Sequence, residues 1–253
     1  MATAIAVDAG GYVYVTGMEG GVGYATIKYD PDGNPLWVAR YRSSGGGRGT
    51  ALAVDAKGNV YVTGDSWEIG TQDDYATVKY DADGNQLWAA RYNGPANRDD
   101  KAFALALDGD GNVYVTGGSY GISSGMDYAT IKYDADGHEV WVDRYNGPGN
   151  YGDVARALTL DAEGHVYVTG GSWGVDGDPL FISWQDYATI KYDADGNPVW
   201  IVRYDGPARQ QDAATAIAID LEANVYVTGV STGMTGQEYT TIKYSQPKEE
   251  LRK

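Results

Sequence analysis

Residues 128–137 read YATIKYDADG, and residues 187–196 repeat the phrase letter for letter. Close copies stand at 24–33 (YATIKYDPDG) and 75–84 (YATVKYDADG), and a fifth at 239–248 degrades to YTTIKYSQPK. Three other phrases keep step with it. The first is AIAVD at 4–8, ALAVD at 51–55, ALALD at 104–108, ALTLD at 157–161 and AIAID at 216–220. The second, VYVTG, begins at Val13, Val60, Val113, Val166 and Val225. The last is LWVARY at 36–41, LWAARY at 87–92, VWVDRY at 140–145 and VWIVRY at 199–204. The Asp that closes the first phrase is spaced by 47, 53, 53 and 59 residues. That period fits four strands with their turns, and suits neither helical pairs nor short solenoid coils.

Each phrase is short, rich in β-branched and aromatic residues, and bounded by Gly, Asp and Asn, as strands are. No segment carries an apolar period of 3.6, which predicts almost no helix. DAKGN, DGDGN and DAEGH join first to second phrases, and DPDGN, DADGN and DADGH join third to fourth. Such sequences suit a type I turn followed by a left-handed Gly, the short bulged hairpin. Each unit is therefore expected to be a four-stranded antiparallel meander, strands a to d. The strands are apolar on both faces, so each sheet needs cover on both sides, which like sheets provide for one another around a ring. The fold expected is an all-β, five-bladed β-propeller whose last blade has only three clear strands. It forms one domain over 1–246, with blades at about 4–41, 51–92, 102–145, 155–204 and 214–244, and a charged tail at 247–253.

The runs AIAVDAGGYVYVTG, ALAVDAKGNVYVTG and ALALDGDGNVYVTG resemble the bacterial β-propeller repeats abbreviated SBBP and, more distantly, NHL-type blades. The resemblance covers residues 4–244 and departs in two ways. There are five units where that family is typically seven-bladed, and the Phe-Pro-rich stretch that often follows YVTG is missing. It implies a propeller of bacterial secreted or cell-surface proteins, with strand a innermost, and carries over no catalytic residues. Fold analogy does not establish function.

Composition narrows the partners. With 19 Lys and Arg against 35 Asp and Glu, the net charge is −16. Such a surface disfavours nucleic acid and anionic membranes, and favours cations, amines, sugars or basic proteins. No apolar run approaches the ~18 residues of a membrane span, and MATAIAVDAGGYVYVTG lacks the basic and apolar segments of a secretory leader. With no Cys, disulfides and thiolate chemistry are excluded.

Antiparallel meanders send the a–b and c–d turns to one side and the b–c and d–a connections to the other. The b–c loops vary, at 6, 10, 10, 16 and 9 residues, and variable loops on a repeated scaffold are where binding concentrates. Trp67, Tyr120 and Trp173 hold equivalent positions after Ser, and the longest loop adds Phe181 and Trp184. These rings suit contact with a glycan or protein ligand, or else pack the loops together. Asp74, Asp127, Asp186 and Glu238 precede strand c on the same side, while Asp100, Asp153 and Asp212 precede strand a. The latter three are expected to approach a channel mouth, as an acidic rim for a cation or amine or as caps of backbone turns.

The DxDGN turns lack the third acid and distal Glu of a calcium loop, so no metal and no cofactor is expected. The repeated Lys of strand c and Arg of strand d point to scaffold roles. His138 and His165 both replace Asn in the short turns, which leaves no multi-His metal centre and no Ser-His-Asp set. A glycosidase needs only two carboxylates, and the fourth unit with its long loop is the one place for them. The expectation is nonetheless a non-enzymatic recognition propeller for carbohydrate or protein, with a ligand-free scaffold as the alternative. A strand-c edge left open at 239–244 invites homo-oligomeric pairing.

Overall fold

The computed structural model describes residues 1–20, 23–174 and 184–245. They form nineteen strands and no helix. The first sheet holds β1 (Ala2–Val7), β2 (Val13–Glu19), β3 (Gly23–Tyr29) and β4 (Pro35–Arg42). The second holds β5 (Gly47–Val54), β6 (Val60–Glu68), β7 (Gln72–Tyr80) and β8 (Gln86–Tyr92). The third holds β9 (Asp100–Leu107), β10 (Val113–Tyr120), β11 (Met126–Tyr133) and β12 (Glu139–Tyr145). The fourth holds β13 (Asp153–Leu160), β14 (Val166–Trp173), β15 (Gln185–Tyr192) and β16 (Pro198–Tyr204). The fifth has three strands, β17 (Ala213–Ile219), β18 (Val225–Gly233) and β19 (Gly236–Tyr244). All five are sequential antiparallel meanders.

The short turns follow from one Asp each. In the first, Asp8 Oδ1 accepts the backbone N–H groups of Gly10 and Tyr12, and Oδ2 accepts the Tyr14 hydroxyl. The same bonds form around Asp55, with the Asn59 amide added on Oδ2. The fourth turn position is left-handed, as at Gly58 with φ 80° and Gly84 with φ 86°, and glycine adopts that conformation without steric cost. The fifth unit breaks the rule: Ala223 takes φ 59° in the turn opened by Asp220. An L-residue there is strained by about 1–2 kcal/mol. Ala223→Gly is expected to stabilise the protein by about 1 kcal/mol, raising the melting temperature by roughly 2–4 °C.

The core is divided among the sheet-to-sheet contacts. Tyr14 and Tyr24 of the first sheet are buried against Val60, Val62, Ala76 and Val78 of the second. Tyr61 and Tyr75 meet the third sheet, Tyr114 and Tyr128 the fourth, and Tyr167 and Tyr187 the fifth, through matching residues. Trp37 lies on Gly84 of the next sheet, where an added Cβ would come within 2.8 Å of the indole, and its Nε1 donates to the Ala82 carbonyl at 3.0 Å. Trp88 repeats the donation to Ala135 and Trp141 to Ala194. The first strands of successive sheets also pack together, β1 on β5, β5 on β9, β9 on β13 and β13 on β17. Among the described residues no such packing joins β17–β19 to β1–β3. Among the described residues four sheet-to-sheet interfaces therefore form, and the expected cover around a full ring is not seen at Val13, Val15 and Ile27 of the first sheet or at Tyr239 and Thr241 of the fifth, which stay partly or largely exposed.

Candidate functional site

Above three of the four interfaces, on the side of the variable loops, sits a knot of Arg, Ser, Asp and Tyr. Arg144 donates to Ser119 Oγ (2.5 Å), the Ser119 carbonyl (2.9 Å), Asp127 Oδ2 (2.8 Å) and the hydroxyl of Tyr92 in the preceding sheet (2.9 Å). Arg91 repeats the pattern with Ser66, Asp74 and Tyr41, and Arg203 with Ser172, Asp186 and Tyr145. Arg40 differs because Gly23 stands where the second to fourth repeats have Asp, and it pairs with the partly exposed Glu19 instead.

Asp100, Asp153 and Asp212 lie fully buried rather than opening on a channel mouth. Each binds two backbone N–H groups across its loop: Gly94 and Tyr120 on Asp100, Gly147 and Trp173 on Asp153, Gly206 and Thr232 on Asp212. Burial pushes the Asp100 and Asp153 carboxyls above the usual range despite those bonds.

The loop aromatics divide between packing and exposure. Tyr120 is half-buried under the Arg98 guanidinium, 4.1 Å from its ring centre, and Trp173 packs on Tyr151. Trp67 exchanges backbone hydrogen bonds with Gly45 and Gly46 while its ring stays partly open. Trp184 is the most exposed of them, at 50%. Phe181 lies outside the described residues.

The fourth repeat departs from the others beside Trp184. The loop after strand d reads NGP at Asn93 and Asn146, but DGP at Asp205. Asp205 is exposed, Asp186 half-buried and Asp212 buried, and an oxygen of each lies within 4.8 Å of the other two. The Asp212 backbone N–H donates to the Gln185 carbonyl at 2.6 Å, which ties this loop to the base of the Trp184 segment. Asp186 is the most open of the three Arg-paired carboxylates, its side chain 16% exposed against 3% for Asp74 and 6% for Asp127. Its pKa is pushed up to about 6: desolvation outweighs the Arg203 guanidinium, and the Asp205 and Asp212 charges add to the rise. Asp205 escaped the sequence reading, which compared acids with acids; the signal was an Asn column turned to Asp.

Three carboxylates at this spacing also resemble a cation site. However, the Asp212 oxygens already hold backbone N–H groups and Asp186 holds Arg203, whereas calcium takes about 6–8 oxygen ligands. On the opposite side Asp161, Glu163 and His165 also cluster, but Asp161 there holds the His165 ring and backbone and the Tyr167 hydroxyl, the same turn chemistry as elsewhere.

No family model matches the chain. An uncharacterized WD repeat-containing protein of Acanthamoeba polyphaga mimivirus is 23% identical over 207 residues, 64% of this chain and 15% of that protein. Among solved structures, a polysaccharide lyase of family PL25, an ulvan lyase, shares the fold with a TM-score of 0.57 at 10% identity when bound to -[GlcA(1-4)Rha3S]-. Its match covers 94% of this chain and 66% of the lyase, and a second structure of that lyase gives a TM-score of 0.58 at 11% identity. A protein of Bifidobacterium bifidum s17 described as a putative exo-β-1,3-galactanase aligns at a TM-score of 0.49 and 12% identity, over 96% of this chain and 87% of that one. This chain is thus an all-β repeat protein of propeller type, and it spans a small part of the curated relative and about two thirds of the lyase.

The expectation of a non-enzymatic recognition module, with an inert scaffold as alternative, is corrected by this finding. One solved chain that shares its fold, at 10% identity, is a polysaccharide lyase. The sequence argues against catalysis because its acids read as part of the repeat, with two His and no Ser-His-Asp set, but Asp205 stands where the second and third units have Asn93 and Asn146. Repetition constrains the scaffold only, and two carboxylates suffice for glycoside cleavage without His.

Proposed function

We propose that the chain carries five propeller-type blades of SBBP-like repeats and is a carbohydrate-active enzyme, with Asp186 and Asp205 as its working pair. One observation carries the reading: the fourth repeat turns an Asn column to Asp205 beside Asp186, whose carboxyl pKa is pushed up to about 6 by burial. Asp186, protonated in mild acid, donates to the departing glycosidic oxygen. Asp205, exposed, bonds to the anomeric carbon as the bond to the departing oxygen breaks, and water then displaces it with Asp186 taking the water's proton. Oxygens within 4.8 Å place the two carboxyls within reach of one glycosidic bond, as glycoside cleavage by a carboxylate pair requires. The exposed Trp184 ring offers a flat apolar face for a sugar. A net charge of −16 makes a neutral glycan the better substrate than a polyanion.

The test is reducing-sugar release from a panel of neutral polysaccharides at mildly acidic pH. Activity should appear, and Asp186→Asn and Asp205→Asn should each lower kcat by roughly a hundredfold or more. Trp184→Ala should raise KM with little change in kcat. Failure of every neutral glycan, or activity that survives both Asp variants, rejects the assignment.

A further inference from the structure

We propose that the two open end sheets are the halves of one interface, and that the first sheet of one copy of this chain docks on the fifth sheet of another. The four internal interfaces define what such a contact requires. In each, a strand-c tyrosine hydroxyl crosses to a strand-c carbonyl of the next sheet: Tyr24 to Ala76 (3.1 Å), Tyr75 to Ala129 (3.3 Å), Tyr128 to Ala188 (3.2 Å) and Tyr187 to Thr240 (3.2 Å). These four rings are buried. The fifth, Tyr239, is 85% exposed on the outer face of β19. Thr241 beside it is exposed, although its counterparts Thr26, Thr77, Thr130 and Thr189 are fully buried.

The first sheet presents the other half. Val13, Val15, Ala25 and Ile27 are only half-buried, where their counterparts Val60, Val62, Ala76 and Val78 are fully buried under the preceding sheet. Gly33 tells the same story: its counterparts Gly84, Gly137 and Gly196 each carry a tryptophan of the preceding sheet within 2.8 Å of a built Cβ, and Gly33 has nothing within 4 Å. The missing fifth contact would place Tyr239 on the Ala25 carbonyl and Lys243 on the Pro31 carbonyl, matching the reach of Lys28 to Ala82 and Lys79 to Ala135. Only the tryptophan lacks a counterpart, because the fifth sheet has no described fourth strand.

Such a contact is head-to-tail, so it closes into a ring or runs on as a string, according to the rotation between copies. The occupant is a second copy because the two faces match each other at every one of these positions but the tryptophan's. The interface is apolar while each copy carries a charge of −16, so association should strengthen as salt screens the repulsion.

Sedimentation of the chain across a concentration series should show mass rising above that of one copy, more so at high salt. Tyr239→Glu blocks one face and Ile27→Glu the other, each weakening self-association by roughly a hundredfold through a charge placed in an apolar contact. Each variant alone should sediment as a monomer, and an equimolar mixture should give a dimer, since each supplies the face the other lacks. A wild-type chain that stays monomeric at every concentration and salt overturns the proposal. So does self-association that persists in Tyr239→Glu, which would place the contact on the free edge of β19 rather than its face. Tyr239 is exposed, so that variant folds and decides the matter even where Ile27→Glu does not.

Discussion

Replacing Arg144 by leucine should lower the stability of the fold by about 3–5 kcal/mol, read as a fall in urea midpoint at unchanged slope. The guanidinium ties three segments: the Ser119 backbone and hydroxyl in β10, Asp127 in β11, and Tyr92 of the preceding sheet. Its removal strands Asp127, a buried carboxylate whose Oδ1 already has no hydrogen-bond partner. A buried charge that loses its partner destabilises far more than the intact pair contributes. The double variant Arg144→Leu with Asp127→Asn should therefore recover a good part of the loss. Arg40, at the same repeat position, is the control: its pair with Glu19 has both side chains about 40% exposed, so Arg40→Leu should change stability by under ~1 kcal/mol. Equal effects at the two positions would refute the argument.

That contrast was half legible in the sequence. Repeated Arg in strand d and repeated Asp before strand c could be read as scaffold, and Gly23 in place of Asp marked the first unit as the exception. What the letters did not contain was the crossing to Tyr92, because a period fixes columns and not which columns meet between sheets. The same limit explains the ring. Apolar residues on both faces show that each sheet needs cover on both, as Val60 and Tyr61 have it. They do not fix the angle between neighbours, and that angle decides how many sheets close a circle. The bulged residues of strand a are a second example. Thr50 falls between the paired Gly49 and Ala51, which frees its hydroxyl to reach the Ala102 carbonyl of the next sheet at 2.7 Å. No turn signal marks that bulge. Within the candidate site, Trp184 was legible as an aromatic in a long loop. Asp205 was not, since its significance lies in the Asn it replaces.

Stability should peak in mild acid rather than at neutral pH, and two opposed groups of carboxylates set the peak. Asp8, Asp55, Asp108 and Asp161 are raised by burial, but hydrogen bonds from turn N–H groups, Tyr hydroxyls and Asn or His side chains more than offset it. In Asp30, Asp81, Asp193 and Asp220 the Asn side chain is the main depressing partner, and in Asp134 the His138 backbone N–H is. Asp220 falls to about 2. A depressed carboxylate adds stability above its unfolded pKa of about 3.9, and that share is lost as pH falls toward its folded value. All nine turns lose it together, so unfolding in urea should become markedly easier between about pH 4 and pH 2. Asp100, Asp153 and Asp186 work the other way. Asp186, at about 6, keeps in the folded state a proton that the unfolded chain has released, so its stabilising share fades as pH rises from about 4 through 6. Allowing for solvent screening at this partly open site, that limb amounts to about 1–2 kcal/mol. Mutual repulsion among the charges behind a net −16 pushes in the same direction. The urea midpoint should therefore be highest near about pH 4–5 and decline toward pH 7, and Asp186→Asn should flatten that decline while leaving the acid limb intact. A midpoint that climbs steadily from pH 4 to pH 7 would show that Asp186 ionises normally, and would remove the proton donor on which the proposed glycoside chemistry depends.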